Sequence, residues 1–532
     1  MEPTLTLPPP RISLVVVLGA RILYILTRVG LPPVVLAHVG LAEYGLWAAC
    51  FILVAWTGLG PTGVGLLLVR GVADAAAQRN LQLIGRRMAE SMVLTAFLSA
   101  IVLGIVVLAT PSLLSALKVD PSLAATARGV FIGTCAIVLV DACMSVPGLA
   151  LQGLRRTSDE QLSWVTGFLV ETVAIISLLT AGFGLMGMLA AFGLRTATTA
   201  ALSTWRLRRL LPGLRFELSA GWLPRCRSML RQGLVLQASQ VSAIALTSID
   251  RVIAGTTLGP TGTGLMDLGG KFSTTMGAFA AAVCGNITSQ AAHHHATDDK
   301  AGLAAAAITG LRQITALMAL AMPALVFLAG PLLAGWLGAR EELAQVGPIM
   351  VAAALGANLL QLTGPVNAVL RTASRLRYEV GFHILRLACV AGGVGSVLAL
   401  YGASATSIAA GMAIGSITAT LAYLPFAYGK LGVPLGKWLR VTILPYCMGY
   451  ATAAFAGWII ALAWGVPFFS VEPWARFGRQ GDILALLAGG AIHAGLQAIF
   501  VWNWVLDDTQ RRGILARLPF PLPAKFGYSR ER

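Results

Sequence analysis

Fourteen apolar stretches, each close to the ~20 residues a helix needs to cross a bilayer, recur along the 532 residues and decide what this chain can fold into. They fall at roughly 13–37, 43–69, 89–110, 129–152, 162–182, 184–205, 232–256, 262–291, 302–336, 346–370, 378–401, 404–428, 441–463 and 482–506. In hydrocarbon every backbone N–H and C=O has to be satisfied within the spanning structure, which leaves helices or closed barrels. Stretches this long read as helices, so the expectation is an all-α, polytopic membrane protein. Only 11% of the residues are charged, against roughly 25% in soluble domains, which excludes an ordinary soluble fold. Pro32–Pro33 and Pro61 are the expected helix breaks. The first stretch is no cleavable signal, because it is too long, carries internal arginines and lacks a small-residue cleavage site.

Lys and Arg are retained on the cytoplasmic side of a membrane. With the amino terminus inside, the cytoplasmic connections hold 27 of them, whereas the periplasmic ones hold five: Lys118, Arg128, Arg340, Arg476 and Arg479. Both termini are therefore expected in the cytoplasm, with the chain in a bacterial inner membrane. The +17 net charge is absorbed by this topology, and no nucleic-acid partner is expected. Trp205, Trp336, Trp438, Trp464, Trp474 and Trp504 fall at stretch ends, as an aromatic belt requires. The longest cytoplasmic connection, RLRRLLPGLRFELSAGWLPRCRSMLRQG (206–233), is basic and amphipathic and is expected at the membrane surface. It separates a six-helix lobe, 1–210, from a second, 232–428, with 211–231 as linker, 441–506 as an extra helix pair and 507–532 as a basic tail. The lobes look like repeats: VGLAEYGLW (39–47) and LGPTGTGLM (258–266) share a Gly-x4-Gly-Leu spacing at an offset of 219 residues.

Charges inside apolar stretches are costly unless paired or wet, so they mark function. The cations are Arg21, Arg28, Arg195, Arg251, Lys271, Arg312 and Arg386; the acids are Asp141, Glu171, Asp250 and Asp267. In a helical hairpin, residues equally far from the turn lie at equal depth. Glu171 and Arg195 are each about eleven residues from the turn at Gly182–Gly184, and Arg251 and Asp267 are each eight from Gly259. Both pairs read as structural ion pairs. Arg312 and Arg386 lie near the cytoplasmic end and are expected to snorkel. Arg21 and Arg28, in LGARILYILTRVGLPP (18–33), are seven residues apart. They therefore share one helix face, ~10 Å apart along its axis, with no acid on their own helix. Asp141 remains open as a neutralising partner for one or both. Together with Lys271, which has Asp267 four residues back as a fallback partner, they are the candidates for binding an anion. Arginine's planar fork suits a diphosphate. Asp141 and Asp250, left without a fixed partner, are the candidates for coupling to a proton or sodium gradient.

No cofactor, metal or catalytic residue is expected. HHHATDD (293–299) reads as a solvated loop, the seven cysteines lack metal spacing, and His383 and His493 read as structural. The glycosylation spacing at Asn286-Ile-Thr288 lies within or at the end of an apolar stretch and reads as chance.

TRVGLPPVVLAHVGLAEYGLWA (27–48) and GLVLQASQVSAIALTSIDRVIAGTTLGPTGTGLMDLGGKF (233–272) resemble the polysaccharide and O-antigen flippases of the multidrug/oligosaccharidyl-lipid/polysaccharide (MOP) exporter superfamily. In that family the second half opens with an Asp-Arg or Asp-Lys pair, here Asp250-Arg251, followed by Gly and a Tyr-Gly-type turn. Thr263 stands where an aromatic often precedes the glycine. The resemblance covers residues 13–428. It implies two lobes across a central cavity that move an undecaprenyl-diphosphate-linked oligosaccharide from the cytoplasmic to the periplasmic leaflet by alternating access. The product would serve exopolysaccharide or O-antigen (lipopolysaccharide) synthesis, with a polysaccharide polymerase and glycosyltransferases as partners. Fourteen helices rather than twelve resemble the layout of the lipid II flippases, in which the final helix pair forms a groove for the lipid tail. Two other classes fit less well. An ion-coupled drug or metabolite antiporter of the same superfamily calls for an acidic cavity, yet cations outnumber acids seven to four. A membrane polymerase or glycosyltransferase calls for catalytic residues on a large periplasmic loop, and the longest, 464–481, holds only Glu472, Arg476 and Arg479.

Overall fold

The computed structural model describes residues 10–57, 59–218, 221–338, 340–373, 375–466, 478–505 and 511. Trp474, Glu472, Arg476 and nearly all of the basic tail lie outside the described residues. No strand occurs among the described residues. The elements are α1 (Pro10–Thr57), α2 (Leu59–Ala77), α3 (Leu81–Ala116), α4 (Ala124–Met144), α5 (Val146–Gly153), α6 (Thr157–Thr180), α7 (Gly184–Leu210) and α8 (Trp222–Ala296). They continue as α9 (Lys300–Phe327), α10 (Ala329–Leu337), α11 (Val346–Leu360), α12 (Thr363–Thr372), α13 (Leu376–Tyr401), α14 (Ala405–Gly429), α15 (Leu435–Trp464) and α16 (Gly478–Phe500).

This is a multi-pass, all-helical membrane protein. Among the described residues eleven helices are long and apolar enough to cross a membrane, against fourteen stretches in the sequence. The stretches outside the eleven lie in α1–α2 and α8, which cover 13–57, 59–69 and 232–291. Two stretches run together in α1, and two more in α8. The helix is broken within α1 at Gly40 (φ 77°, ψ 176°) and within α8 at Gly259 (φ 78°, ψ −166°). Both conformations belong to a region open essentially to glycine alone. The two breaks are the first glycines of the repeated spacing. The expected break at Pro32–Pro33 does not occur: α1 keeps helical dihedrals through both prolines. Proline's fixed φ is helical, and neighbouring helices re-satisfy the freed carbonyls in membrane proteins. Pro61 sits in the first turn of α2, where a missing N–H costs nothing.

The chain forms two compact units. One holds Met1–Thr275, Arg340–Ala353 and Val380–Ser416; the other holds Met276–Ala339, Ala354–Glu379 and Ile417–Arg532. These sets do not follow the lobe boundaries drawn at the linker, since segments from the second half of the chain join the first unit.

In the first unit, side-chain-free surfaces let those segments approach. A Cβ on Gly45 would lie 1.8 Å from the Pro260 carbonyl oxygen, and one on Gly264 would lie 3.1 Å from the Gly45 Cα. Nearby, Lys118 Nζ donates to the Thr257 carbonyl (2.8 Å) and Arg340 to the Leu36 carbonyl (3.5 Å). The helical part of the linker does not lie free on the surface. Cys226 and Met229 pack against Val64 and Leu94, and Arg225 Nε reaches Glu90 Oε1 at 2.6 Å, with Glu90 only 1% exposed. A buried carboxylate on α3 thus holds the start of α8.

In the second unit α9, α15 and α16 pack together. A Cβ on Gly449 would lie 2.4 Å from the Ala319 carbonyl oxygen. Buried His493 is bound at Nε2 to the Leu320 carbonyl (2.7 Å) and at Nδ1 to Thr452 (3.0 Å), which makes it a structural tie. Tyr446 donates to the Asn358 carbonyl, and Tyr423 donates to Asn367 Oδ1.

Candidate functional site

Seven of the nine sequence-selected charges gather into two clusters, both in the first unit. In the first cluster α6 supplies Glu171, which is 2% exposed, α7 supplies Arg195 and α1 supplies Arg28. Glu171 Oε2 lies 3.6 Å from Arg195 Nη1 and 3.5 Å from Arg28 Nη2. The expected Glu171–Arg195 pair is therefore a triad, and Arg28, for which the sequence left only Asp141 open as a partner, shares the Glu171 carboxylate instead. Depth within one hairpin reveals nothing about a third helix packed against it. Two guanidinium groups face one carboxylate, leaving a formal charge of +1.

Aromatic rings wall this centre. Arg28 Cζ lies 5.1 Å from the Phe168 ring, 5.5 Å from Tyr24 and 5.8 Å from Phe51. Arg195 Cζ lies 4.7 Å from Phe168 and 4.4 Å from Phe192. Phe168 is thus within cation–π range of both cations. None of these rings was picked out from the sequence, although a signal existed. Tyr24 stands four residues before Arg28, Phe168 three before Glu171 and Phe192 three before Arg195, the spacings that place side chains on one helix face.

The second cluster centres on Asp267 in α8. It accepts from Lys271 Nζ (2.6 Å), Arg251 Nη1 (3.3 Å) and the Tyr44 hydroxyl (2.6 Å). Lys271 is thus paired rather than free, because at four residues' spacing its ammonium reaches the Asp267 carboxylate directly. Asp250 Oδ1 lies 3.8 Å from Arg251 Nε and has no hydrogen-bond partner among the described residues. Arg251 and Lys271 thus face Asp267 and Asp250, and Arg386 lies within electrostatic reach of Asp250. Asp141 belongs to neither hub but lies within electrostatic reach of Arg195. Arg386 donates to Ser416 at 3.4 Å. Arg21 is part of α1, but its side chain lies outside the described residues.

Among the described residues no group of three or more His, Cys, Asp or Glu could hold a metal. The HHHATDD tract forms the end of α8 and the turn into α9, where Asp299 caps the next helix by accepting from Gly302 N (2.7 Å). Chemically, the first cluster can hold an anion: two planar donors, a partly exposed approach (Arg28 24%, Arg195 16%) and a carboxylate that neutralises only one of them.

Fold and site together define a multi-pass helical membrane protein with a cationic, aromatic-walled centre among its apolar helices. The chain is similar to the solved lipid II flippase MurJ in an inward closed conformation (TM-score 0.63, 14% identity, covering 92% of this chain and 98% of that one). It is also similar to a multidrug resistance MATE family transporter in an inward-facing conformation (0.58, 18%, 79% and 98%). A third similar structure is a MOP superfamily transporter from Pyrococcus furiosus, described as having a binding pocket of reverse polarity (0.56, 18%, 79% and 94%). Residues 39–340 match the model of the family described as polysaccharide biosynthesis protein, and the chain belongs to that family. No curated protein matches it by sequence.

Proposed function

We propose that this protein is a transporter, not an enzyme, that moves an undecaprenyl-diphosphate-linked oligosaccharide from the cytoplasmic to the periplasmic leaflet of a bacterial inner membrane by alternating access. The observation that carries the reading is the net cation at Arg28 and Arg195. Glu171 neutralises one guanidinium and leaves the other's fork for a phosphate, while Tyr24, Phe51, Phe168 and Phe192 offer ring faces. Membership of a polysaccharide biosynthesis family and a fold shared with a lipid II flippase over 92% of the chain support it. Arg21, seven residues before Arg28 on α1, extends the cationic wall in this reading, while Lys271 stays tied to Asp267. Both termini are cytoplasmic in this reading, Asp141 and Asp250 respond to a proton or sodium gradient, and a polymerase and glycosyltransferases act before and after it. An antiporter for cationic drugs would need an acidic centre, the opposite of what Arg28 and Arg195 supply.

The test is flipping of lipid-linked oligosaccharide in vesicles at matched levels of folded protein. Each charge-assisted contact contributes roughly 1.5–3 kcal/mol, so Arg28→Ala or Arg195→Ala should slow transport about tenfold or more. Arg28→Lys keeps charge without the fork and should retain partial activity. Wild-type rates from the Arg28→Ala, Arg195→Ala double variant would overturn the proposal.

A further inference from the structure

A groove of about 750 Å³ runs between α4 and α7 on the first unit, and neither Glu171 nor Asp267 lines it. Its wall on α4 includes Val140 and Met144, and its floor on α7 runs from Gly193 through Ala197 and Ala200 to Trp205 and Arg208. Fifteen residues at 1.5 Å each make it ~22 Å long, about the depth of one leaflet with its headgroup layer. Apart from the hydroxyls of Thr196 and Thr204 the lining is apolar until its end, where Arg208 supplies charge. Arg208 lines the groove and Arg209 stacks 5.6 Å over the 54%-exposed Trp205 ring. Neither arginine has an ion-pair partner among the described residues, whereas the adjacent Arg206 is spent on the Asp159 carbonyl and Ser163.

We propose that this groove is a binding site for one anionic glycerophospholipid, its acyl chain lying along Ala200–Gly193 and its phosphate at Arg208 and Arg209. The length selects a leaflet-deep lipid, since a long polyprenyl chain would overrun it. The two arginines, without an ion-pair partner among the described residues and beside an interfacial tryptophan, select an anionic head, as basic pockets between membrane helices do. The site goes beyond the transport reading and stands or falls without it.

Trp205 reports on it. The full chain is reconstituted in phosphatidylcholine vesicles with increasing brominated-chain phosphatidylglycerol, or with brominated phosphatidylcholine. Trp205-specific quenching is taken as the difference between wild type and Trp205→Phe. Phosphatidylglycerol should quench at a several-fold lower mole fraction than phosphatidylcholine. Arg208→Gln should weaken that preference about fivefold. Ala200→Phe, which fills the groove, should remove saturable quenching by either lipid, with Ala201→Leu as the milder variant if the first does not fold. Equal quenching by the two lipids, or a preference that survives Arg208→Gln with Arg209→Gln, overturns the proposal. So does displacement of bound phosphatidylglycerol by undecaprenyl phosphate at a lower mole fraction, which would assign the groove to the polyprenyl chain.

Discussion

Glu171 shows how much one side chain can determine. Buried, and shared by two arginines from different helices, it is the carboxylate that both guanidiniums contact. Breaking a buried pair by removing one partner costs about 3–5 kcal/mol. Glu171→Gln should therefore lower the thermal midpoint and expression level markedly, and Glu171→Gln with Arg195→Gln should regain part of the loss. Thermal unfolding in detergent reads both; a fully stable but inactive Glu171→Gln would mean that the carboxylate serves transport rather than structure. Counting depth from the turns puts Glu171 opposite Arg195 and Arg251 opposite Asp267, and the structure holds these pairs at 3.6 and 3.3 Å. That much is local to a hairpin and so legible in sequence. Arg28 joining Glu171, and Tyr44 joining Asp267 across 223 residues, depend on how distant helices pack, which no spacing along the chain encodes.

Helix boundaries follow the same division. The repeated Gly-x4-Gly-Leu spacing marks Gly40 and Gly259, where the backbone breaks, because an ε-region dihedral leaves its mark on residue type. The passage of α1 through Pro32–Pro33 leaves none, since tertiary neighbours decide whether a proline ends a membrane helix. Gly40 has open space where a Cβ would stand, so Gly40→Ala tests backbone strain alone. It should cost about 1–3 kcal/mol, read as a lower thermal midpoint with no change in packing partners. At the start of α9, Asp299 accepts from Gly302 N and lies 3.0 Å from His294 Nδ1. These contacts, the backbone N–H foremost, hold its carboxyl below the usual carboxylate range. Such a group lends stability above its unfolded value, near pH 4, and loses it as pH falls through the lowered folded value. Asp299→Ala should accordingly lower the midpoint at pH 7 and leave less further decline between pH 4 and 3 than wild type shows.

For the molecule as a whole, the loop charges make a prediction that single contacts cannot. Reporter fusions after Gly71 and at the carboxyl terminus should read cytoplasmic, and one in the 117–122 turn periplasmic. A periplasmic carboxyl terminus would reverse the topology on which the direction of transport rests. The fold also joins the two halves of the sequence at the seam where Gly45 meets Pro260 and Gly264 with no side chain between them. That contact is main chain against main chain, so Gly45 itself brings no rotamer to reorder, although Leu41 packs beside Gly264 and Tyr44 carries the neighbouring bond to Asp267. Its closeness is a matter of volume, while the ionic clusters respond to salt and pH. Gly45→Ala and Gly45→Ser should thus fail alike despite their different polarity, whereas ionic strength acts on the charged centre and, through Tyr44 and Asp267, only on the edge of the seam.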